Sequence, residues 1–495
     1  MTAEATVRTP WEAYSEGVPM HLTYPDCAMV DMVEQSARKT PDIAAYTFYT
    51  TKVTYKVFME QIQECAKALV AMGIHPGDKV TICMPNTPQA VIMFYAINYM
   101  GGIANMVHPL SAQEEIAFYL KESGSVAALT LRQFYPKFQA IRSKLTIDKL
   151  IITGIEDALH GPMKLGYLAT QGRKLPKVPS DDSLVVYWKD FLRAGKNTPD
   201  PRYARSGNDT AAILYSGGTT GTTKGILLSN LNFNALGLQT GAAGNCLVEG
   251  HKMLSIMPIF HGFGLGVCIH TVLIHSATCI LVPQFTAESY AQLLKKHKPN
   301  YIAGVPTLYE ALLRLKKAGD LDLSQLEGVF SGGDSLSIEL KHKVDAFLSQ
   351  EQVREGYGTT ECVTASCLTP KTFYREGSIG IPFPDTYYKI VIPSTHDEVP
   401  YGTIGEICIS GPTVMQGYLD KPKETAQTLQ LHEDGLVWLH TGDLGLMDED
   451  GFIYFKQRLK RMIITSGYNV YPSGECHRRP RSGSDEHRYR CEGRL

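Results

Sequence analysis

Up to about Gly377, short apolar runs rich in β-branched residues alternate with longer stretches whose apolar positions recur at helical spacing. Lys79 to Met84 (KVTICM), Lys149 to Thr153 (KLIIT) and Thr278 to Val282 (TCILV) are of the first kind, and Ser289 to His297 (SYAQLLKKH) is of the second. Near-continuous apolar strands separated by helices bury both faces, so this rhythm predicts an α/β fold with parallel sheets covered by helices. Beyond Gly377 the strands crowd together, as in Tyr387 to Ile392 (YYKIVI) and Glu406 to Ile409 (EICI), which predicts a small antiparallel β subdomain over about residues 377–455. Gly262 to Pro283 carries no formally charged residue over a length that could cross a bilayer. Its histidines, three glycines and Pro283, and flanks without basic anchors, predict a buried helix and strand instead of a membrane span.

Composition narrows this picture. A chain of 495 residues with 44% apolar side chains has material for a large core and more than one domain. With 48 basic and 50 acidic residues the net charge is −2, which supplies no general field for nucleic acid or an anionic membrane, so any anion must be gripped locally. The eleven cysteines are scattered, Cys362 and Cys367 being the nearest pair, and the polar N-terminus lacks a signal-peptide pattern. Both point to a reducing, cytoplasmic setting. Residues 473–495 (SGECHRRPRSGSDEHRYRCEGRL) hold six arginines and no Ile, Val, Met or Phe. Such a segment builds no core and reads as a disordered tail.

One segment carries chemistry. Ile213-Leu214-Tyr215 reads as a strand end and runs into Ser216, Gly217, Gly218, Thr219, Thr220, Gly221, Thr222, Thr223, Lys224 and Gly225. Glycines let several backbone N–H groups converge on phosphate oxygens, the hydroxyls add donors, and Lys224 adds a mobile positive charge. A Gly/Thr run also serves as a plain surface loop. It is not the P-loop of nucleotide triphosphatases, because Lys224 follows Thr223 and precedes Gly225.

The order of residues resembles the AMP-forming acyl-CoA synthetases, relatives of luciferases and of peptide-synthetase adenylation domains, whose loop reads roughly S/T-S/T-G-S/T-T-G-x-P-K-G. Here Gly217 and Thr223 depart from it. Further motifs follow in that family's order over about residues 25–472. Tyr357-Gly358-Thr359-Thr360-Glu361 matches Y-G-x-T-E. The resemblance gives Tyr357 to adenine stacking, Thr360 to the α-phosphate and Glu361 to Mg²⁺. Glu355, separated from the tyrosine by Gly356, falls where the family has an amide facing the adenine amino group. Thr441-Gly442-Asp443 matches the ribose-binding T-G-D, although a lone aspartate in such a place also serves as a turn or cap residue. Arg458 becomes a second ribose ligand and Lys460 the hinge, with Gln457 replacing the usual glycine. Ser331-Gly332-Gly333-Asp334 resembles the S-G-G-A stretch between acid and adenine. Gly304-Val305-Pro306-Thr307 and Pro258-Ile259-Phe260-His261-Gly262-Phe263-Gly264 have counterparts on the acyl side. His261 reads either as a satisfied core histidine or as part of the acyl and pantetheine passage.

The resemblance implies a fold of two helix-covered sheets and a β-barrel-like subdomain. It places an adenylating domain over residues 1–459 and a hinge with the start of a C-terminal lid over residues 460–472. In the family the lid carries a lysine that assists adenylation, and this chain shows no counterpart of either. Back-translated and shifted by one nucleotide, Glu475 onward can spell E-N-V-I-A-D-P-A-A-V-V-M, which resembles the lid's first helix. Residues 474–495 are therefore expected to be read out of frame, which resequencing the gene decides: an intact frame with no lid codons downstream refutes it.

The implied reaction turns a carboxylic acid and ATP into acyl-AMP and pyrophosphate, after which the thiol of coenzyme A displaces AMP. Lys224, Thr360 and Mg²⁺ on Glu361 meet the developing negative charge. Amino-acid-activating relatives place an aspartate at the position of His261, so an acid with an uncharged tail, a medium- or long-chain fatty acid, is expected. Two rivals stand beside this reading: a lidless remnant that binds ATP or acyl-AMP with little turnover, and a luciferase-like oxygenase.

Overall fold

The computed structural model describes residues 7–179, 182–216, 223–245, 247–315, 321–348, 352–459, 463–465 and 468–470. Gly217 to Thr222, Lys460 and the tail lie outside the described residues, and with them the expectations placed there.

Two large mixed sheets form the body. The first has nine strands, six of them parallel at its centre: Val353–Tyr357, Gly328–Ser331, Tyr301–Gly304, Lys252–Ser255, Thr278–Leu281 and Ala44–Phe48. Antiparallel strands close both of its edges. The second has eight strands and a parallel centre running from Thr210–Tyr215 through Ile103–Met106, Lys79–Cys83, Ala127–Leu131 and Lys149–Thr153 to Val185–Tyr187. Its other edge is antiparallel, Gly225–Ser229 followed by the two-residue strand Gly417–Tyr418. The strands expected at Lys79, Lys149 and Thr278 are thus present, each ending one residue short or on the expected residue.

Helices cover the faces as the apolar spacing dictates. Tyr55–Ala71 is capped by Thr54, whose hydroxyl accepts from Val57 N–H, and it buries Phe58, Ile62, Cys65 and Leu69 at three- and four-residue steps. Pro88–Tyr99 buries every residue, proline at its first position and Thr87 at its cap. A helix apolar all round belongs in the interior, and Asn98 answers the cost of its own burial by accepting from Val30 N–H and donating to Asn230.

The uncharged stretch from Gly262 folds as a wide helical turn, Phe263–His270, a short helix, Thr271–Ile274, and the strand Thr278–Leu281. All of His270 is buried, held between Tyr95 Oη at 2.9 Å and Asn234 Oδ1 at 3.0 Å. Burial drives its pKa down to about 3, so it is a neutral core residue. Among the described residues no helix is long and apolar enough to cross a membrane.

The third sheet is antiparallel and spans Tyr387–Arg458: Tyr387–Val391, Gly405–Ser410, Val437–Met447 and Leu429–Leu431 in spatial order, with Ile453–Arg458 also on Val437–Met447. Trp11, near the N-terminus, is buried against it with Phe452 and Ile453.

Candidate functional site

A cavity of about 600 Å³ opens where segments of the three larger sheets meet. Ser216 and Lys224 reach it from the second sheet, and His261, Gly333 and Gly358 to Glu361 from loops of the first. The third sheet supplies Asp443 and Arg458. Residues scattered over nearly half of the chain thereby share one wall.

At one end, the strand pairing of Gly417–Tyr418 with Gly225–Ser229 sets Tyr418 opposite Ile226. That register brings Lys224 Nζ to 4.3 Å above the centre of the Tyr418 ring, a cation–π contact. The Tyr418 hydroxyl donates to Glu361 Oε1 at 2.9 Å. Burial, and the Glu361 carboxylate beside it, hold the phenol pKa well above its ordinary value, so the hydroxyl remains a donor. Glu361 sits in the short helical turn Thr360–Cys362, whose place is pinned when its carbonyl accepts from Met415 N–H at 2.7 Å.

At the other end, Glu406 pairs with Leu444 and Cys408 with His440, so Thr441, Gly442 and Asp443 bulge opposite a single residue, Ile407. A bulge re-aims a side chain that regular alternation would point elsewhere. Gly442 has φ +69°, a left-handed conformation that suits glycine, and its N–H donates to Glu406 Oε1 at 3.0 Å. The Thr441 hydroxyl donates to Ile407 O and accepts from Asp443 N–H, closing the turn. Asp443 is buried. Its Oδ2 accepts from Tyr357 Oη at 2.7 Å, and its Oδ1 lies 3.6 Å from Arg458 Nε, on the residue directly across the strand pair. Burial raises the pKa of Asp443, while the Tyr357 hydrogen bond and Arg458 pull it back.

His261 lines the cavity from the turn that starts at Pro258. Its Nδ1 accepts from Phe263 N–H at 3.2 Å, which leaves the proton on Nε2, and burial lowers its pKa, so the imidazole is neutral. Gly264 admits this turn, because a Cβ there would sit 2.0 Å from Pro258 O.

Asp334, Glu355, Gly356 and Tyr357 are not in the lining, although Tyr357 reaches it through Asp443. Burial raises the Glu355 carboxyl from 4.5 to about 7, against the pull of Lys341 and of Leu336 N–H. The folded chain then keeps a proton that the unfolded chain has released. The stabilisation is whole below pH ~4.5 and is lost as pH rises through about 7. Glu355→Gln is therefore expected to melt a few degrees above the parent at about pH 8 and no higher than the parent at about pH 4. Equal melting curves at both pH values would count against a proton held there.

Sequence reasoning passed over Tyr418 and Glu406. The signal for Tyr418 lay in Gly417-Tyr418-Leu419, but nothing local says that this stretch pairs with the strand after Lys224.

Residues 33–419 match the family model described as AMP-binding enzyme. A long-chain-fatty-acid–CoA ligase of Bacillus subtilis is 33% identical over 476 residues, which cover 94% of this chain and 82% of that protein. Among solved structures, the anthranilate CoA ligase AuaEII in complex with anthranoyl-AMP superposes with a TM-score of 0.79 at 22% identity, covering 92% of this chain and 82% of that one. A long-chain-fatty-acid-CoA ligase from Archaeoglobus fulgidus superposes with a TM-score of 0.76 at 21% identity, covering 88% and 85%.

Proposed function

Because this chain belongs to the AMP-binding enzyme family and is an AMP-forming acyl-CoA synthetase, we propose that it activates a medium- or long-chain fatty acid within the cavity between Lys224 and Asp443. The observation that carries the assignment of parts is the pair of fixed polar clusters at the two ends of that cavity, Lys224–Tyr418–Glu361 and Tyr357–Asp443–Arg458.

The charges suit an adenine nucleotide laid along the cavity. Asp443 presents carboxylate oxygens to the two ribose hydroxyls, and Arg458 steadies it from the neighbouring strand. Tyr357 holds Asp443 in place through its hydroxyl, and the family resemblance gives its ring to adenine. Ser216 and Lys224 face the phosphates, joined by the Thr360 hydroxyl. Glu361 has one oxygen occupied by Tyr418 and lines the cavity with an acceptor-only group, a donor that a hard divalent cation prefers. Magnesium held there would neutralise charge on the pyrophosphate side.

The family uses ATP and CoA as substrates. The fatty acid carboxylate oxygen attacks the α-phosphorus, the bond to pyrophosphate breaks, and acyl-AMP forms. Lys224 and Thr360 lower the barrier by meeting the charge that develops on the phosphoryl oxygens. The CoA sulfur then attacks the acyl carbon, AMP leaves, and the thiol proton is released. His261, neutral and protonated on Nε2, offers a hydrogen-bond donor on the acyl side without a charge, which suits an uncharged tail. The Bacillus subtilis relative, named for long-chain fatty acids, supports the choice of acid. The free thiols of the described cysteines support a reducing, cytoplasmic setting.

Acid-dependent exchange of labelled pyrophosphate into ATP, run over a panel of fatty, aryl and amino acids, tests this reading. Exchange driven best by aliphatic acids is expected; strongest exchange with an amino acid, or none with any acid, refutes it. In the same assay Tyr418→Phe keeps the ring beneath Lys224 and loses the bond to Glu361, for an expected rate loss of about tenfold. Tyr418→Leu loses both contacts and is expected to cost about a hundredfold. Equal losses in the two variants would show that the ring contact with Lys224 contributes nothing.

A further inference from the structure

Three histidines from separate segments of the third sheet converge beside the cavity. His396 lies in the loop after Tyr387–Val391, His432 in the turn that joins Leu429–Leu431 to Val437–Met447, and His440 on that last strand. One ring nitrogen from each lies within 4.8 Å of the others. His432 and His440 are buried, and His396 is exposed. His396 stacks on His432 with ring centroids 4.0 Å apart, and the Nε2 atoms of His432 and His440 stand 3.0 Å apart.

Three imidazoles packed together call for an explanation, since their protonated forms repel one another. Hydrogen bonding among themselves supplies only part of it. With one proton shared between the two Nε2 atoms, His432 Nδ1 remains buried without a partner. Ligation of one ion accounts for the close approach of the two Nε2 atoms. Two nitrogens bound to one zinc at their usual length stand about 3.3 Å apart, close to the spacing found. His440 also has the arrangement expected of a ligand: its Nδ1 faces Glu406 Oε2 at 3.1 Å, and Glu406 is itself fixed by Gly442 N–H. A carboxylate behind a histidine fixes the tautomer and makes the other nitrogen a better donor. The nearest cation, Lys389, is engaged by Asp434 and Glu398. The Cys408 thiol lies 3.5 Å from His440 Nδ1.

We propose that His396, His432 and His440 form a binding site for a borderline-soft divalent transition metal, zinc above all. Nitrogen donors exclude magnesium and calcium as natural occupants, so this site is separate in place and in chemistry from Glu361. Three protein ligands leave a fourth position, which opens toward the cavity that His440 and Gln430 line. His440 immediately precedes Thr441-Gly442-Asp443, and Glu406 braces both His440 and Gly442. The ion would therefore fasten the hairpin that holds the bulge.

Equilibrium dialysis of the whole chain against zinc, in excess magnesium and without nucleotide or acid, tests the site independently of the proposed reaction. One zinc per chain is expected, with affinity lowered at least about tenfold in His396→Ala and in His432→Ala. Because His396 is exposed, its variant keeps the fold even if the buried one does not. Cobalt as a probe is expected to give visible bands without a thiolate charge-transfer band. No bound zinc, unchanged affinity in His396→Ala, or a thiolate band, which would give the ion a cysteine ligand, overturns the proposal.

Discussion

Glu361→Gln is expected to slow acid-dependent pyrophosphate exchange by about 10²–10³-fold, the cost of removing one preorganised charge from a phosphoryl-transfer site. The substitution keeps the volume of the side chain and an amide oxygen able to accept the Tyr418 hydroxyl, so the turn Thr360–Cys362 and its bond from Met415 N–H persist. Only the negative charge is lost. With it goes the preference for a hard cation, and raising magnesium is expected to restore part of the rate. A Glu361→Gln rate within about threefold of the parent would take Glu361 out of the metal-binding role.

Asp443→Ala is expected to raise the KM for ATP by about a hundredfold, since hydrogen bonds to a charged group contribute about 1.5–3 kcal/mol each. The change also strands the Tyr357 hydroxyl, which burial and its neighbours hold in the protonated form, and removes the partner of Arg458. Part of the loss is therefore structural, and Tyr357→Phe separates the two. If Asp443 binds nucleotide, the Asp443→Ala effect on KM persists in the Tyr357→Phe background, whereas the effect on melting temperature shrinks there. Persistence of the melting effect with no change in KM would make Asp443 a fold residue, the turn-and-cap reading that the sequence left open.

How far the sequence carried the reader depends on the range of each interaction. The strands at Lys79, Lys149 and Thr278 were legible because apolar runs between helical repeats are local facts. The placement of Ala44–Phe48 beside Thr278–Leu281 in one parallel sheet was not, since sheet order follows from which helical faces fit together across the core. Within the cavity, Lys224, Glu361 and Asp443 were reached through motifs, which record residue type and order. Tyr418 and the histidine trio were missed for the opposite reason. Their meaning lies in strand register: Tyr418 opposite Ile226, and the bulge that sets Cys408 beside His440. Register is fixed by long-range packing and leaves no trace in neighbouring residues. Glu355 shows a third case: the resemblance set it where an amide faces adenine, and burial raises its carboxyl pKa to about 7.

The two-residue strand Gly417–Tyr418 matters before the protein is finished. It occupies the outer edge of Gly225–Ser229, whose sequence GILLS would otherwise present an open, apolar border. At ~5–20 residues per second, synthesis of the residues between these two segments takes on the order of ten to forty seconds. Throughout that interval the nascent chain exposes a strand edge able to pair with another copy. Weakening the pairing at Tyr418 thus has a second cost apart from catalysis, a lower yield of folded enzyme, and faster synthesis or a chaperone that shields strand edges would offset it.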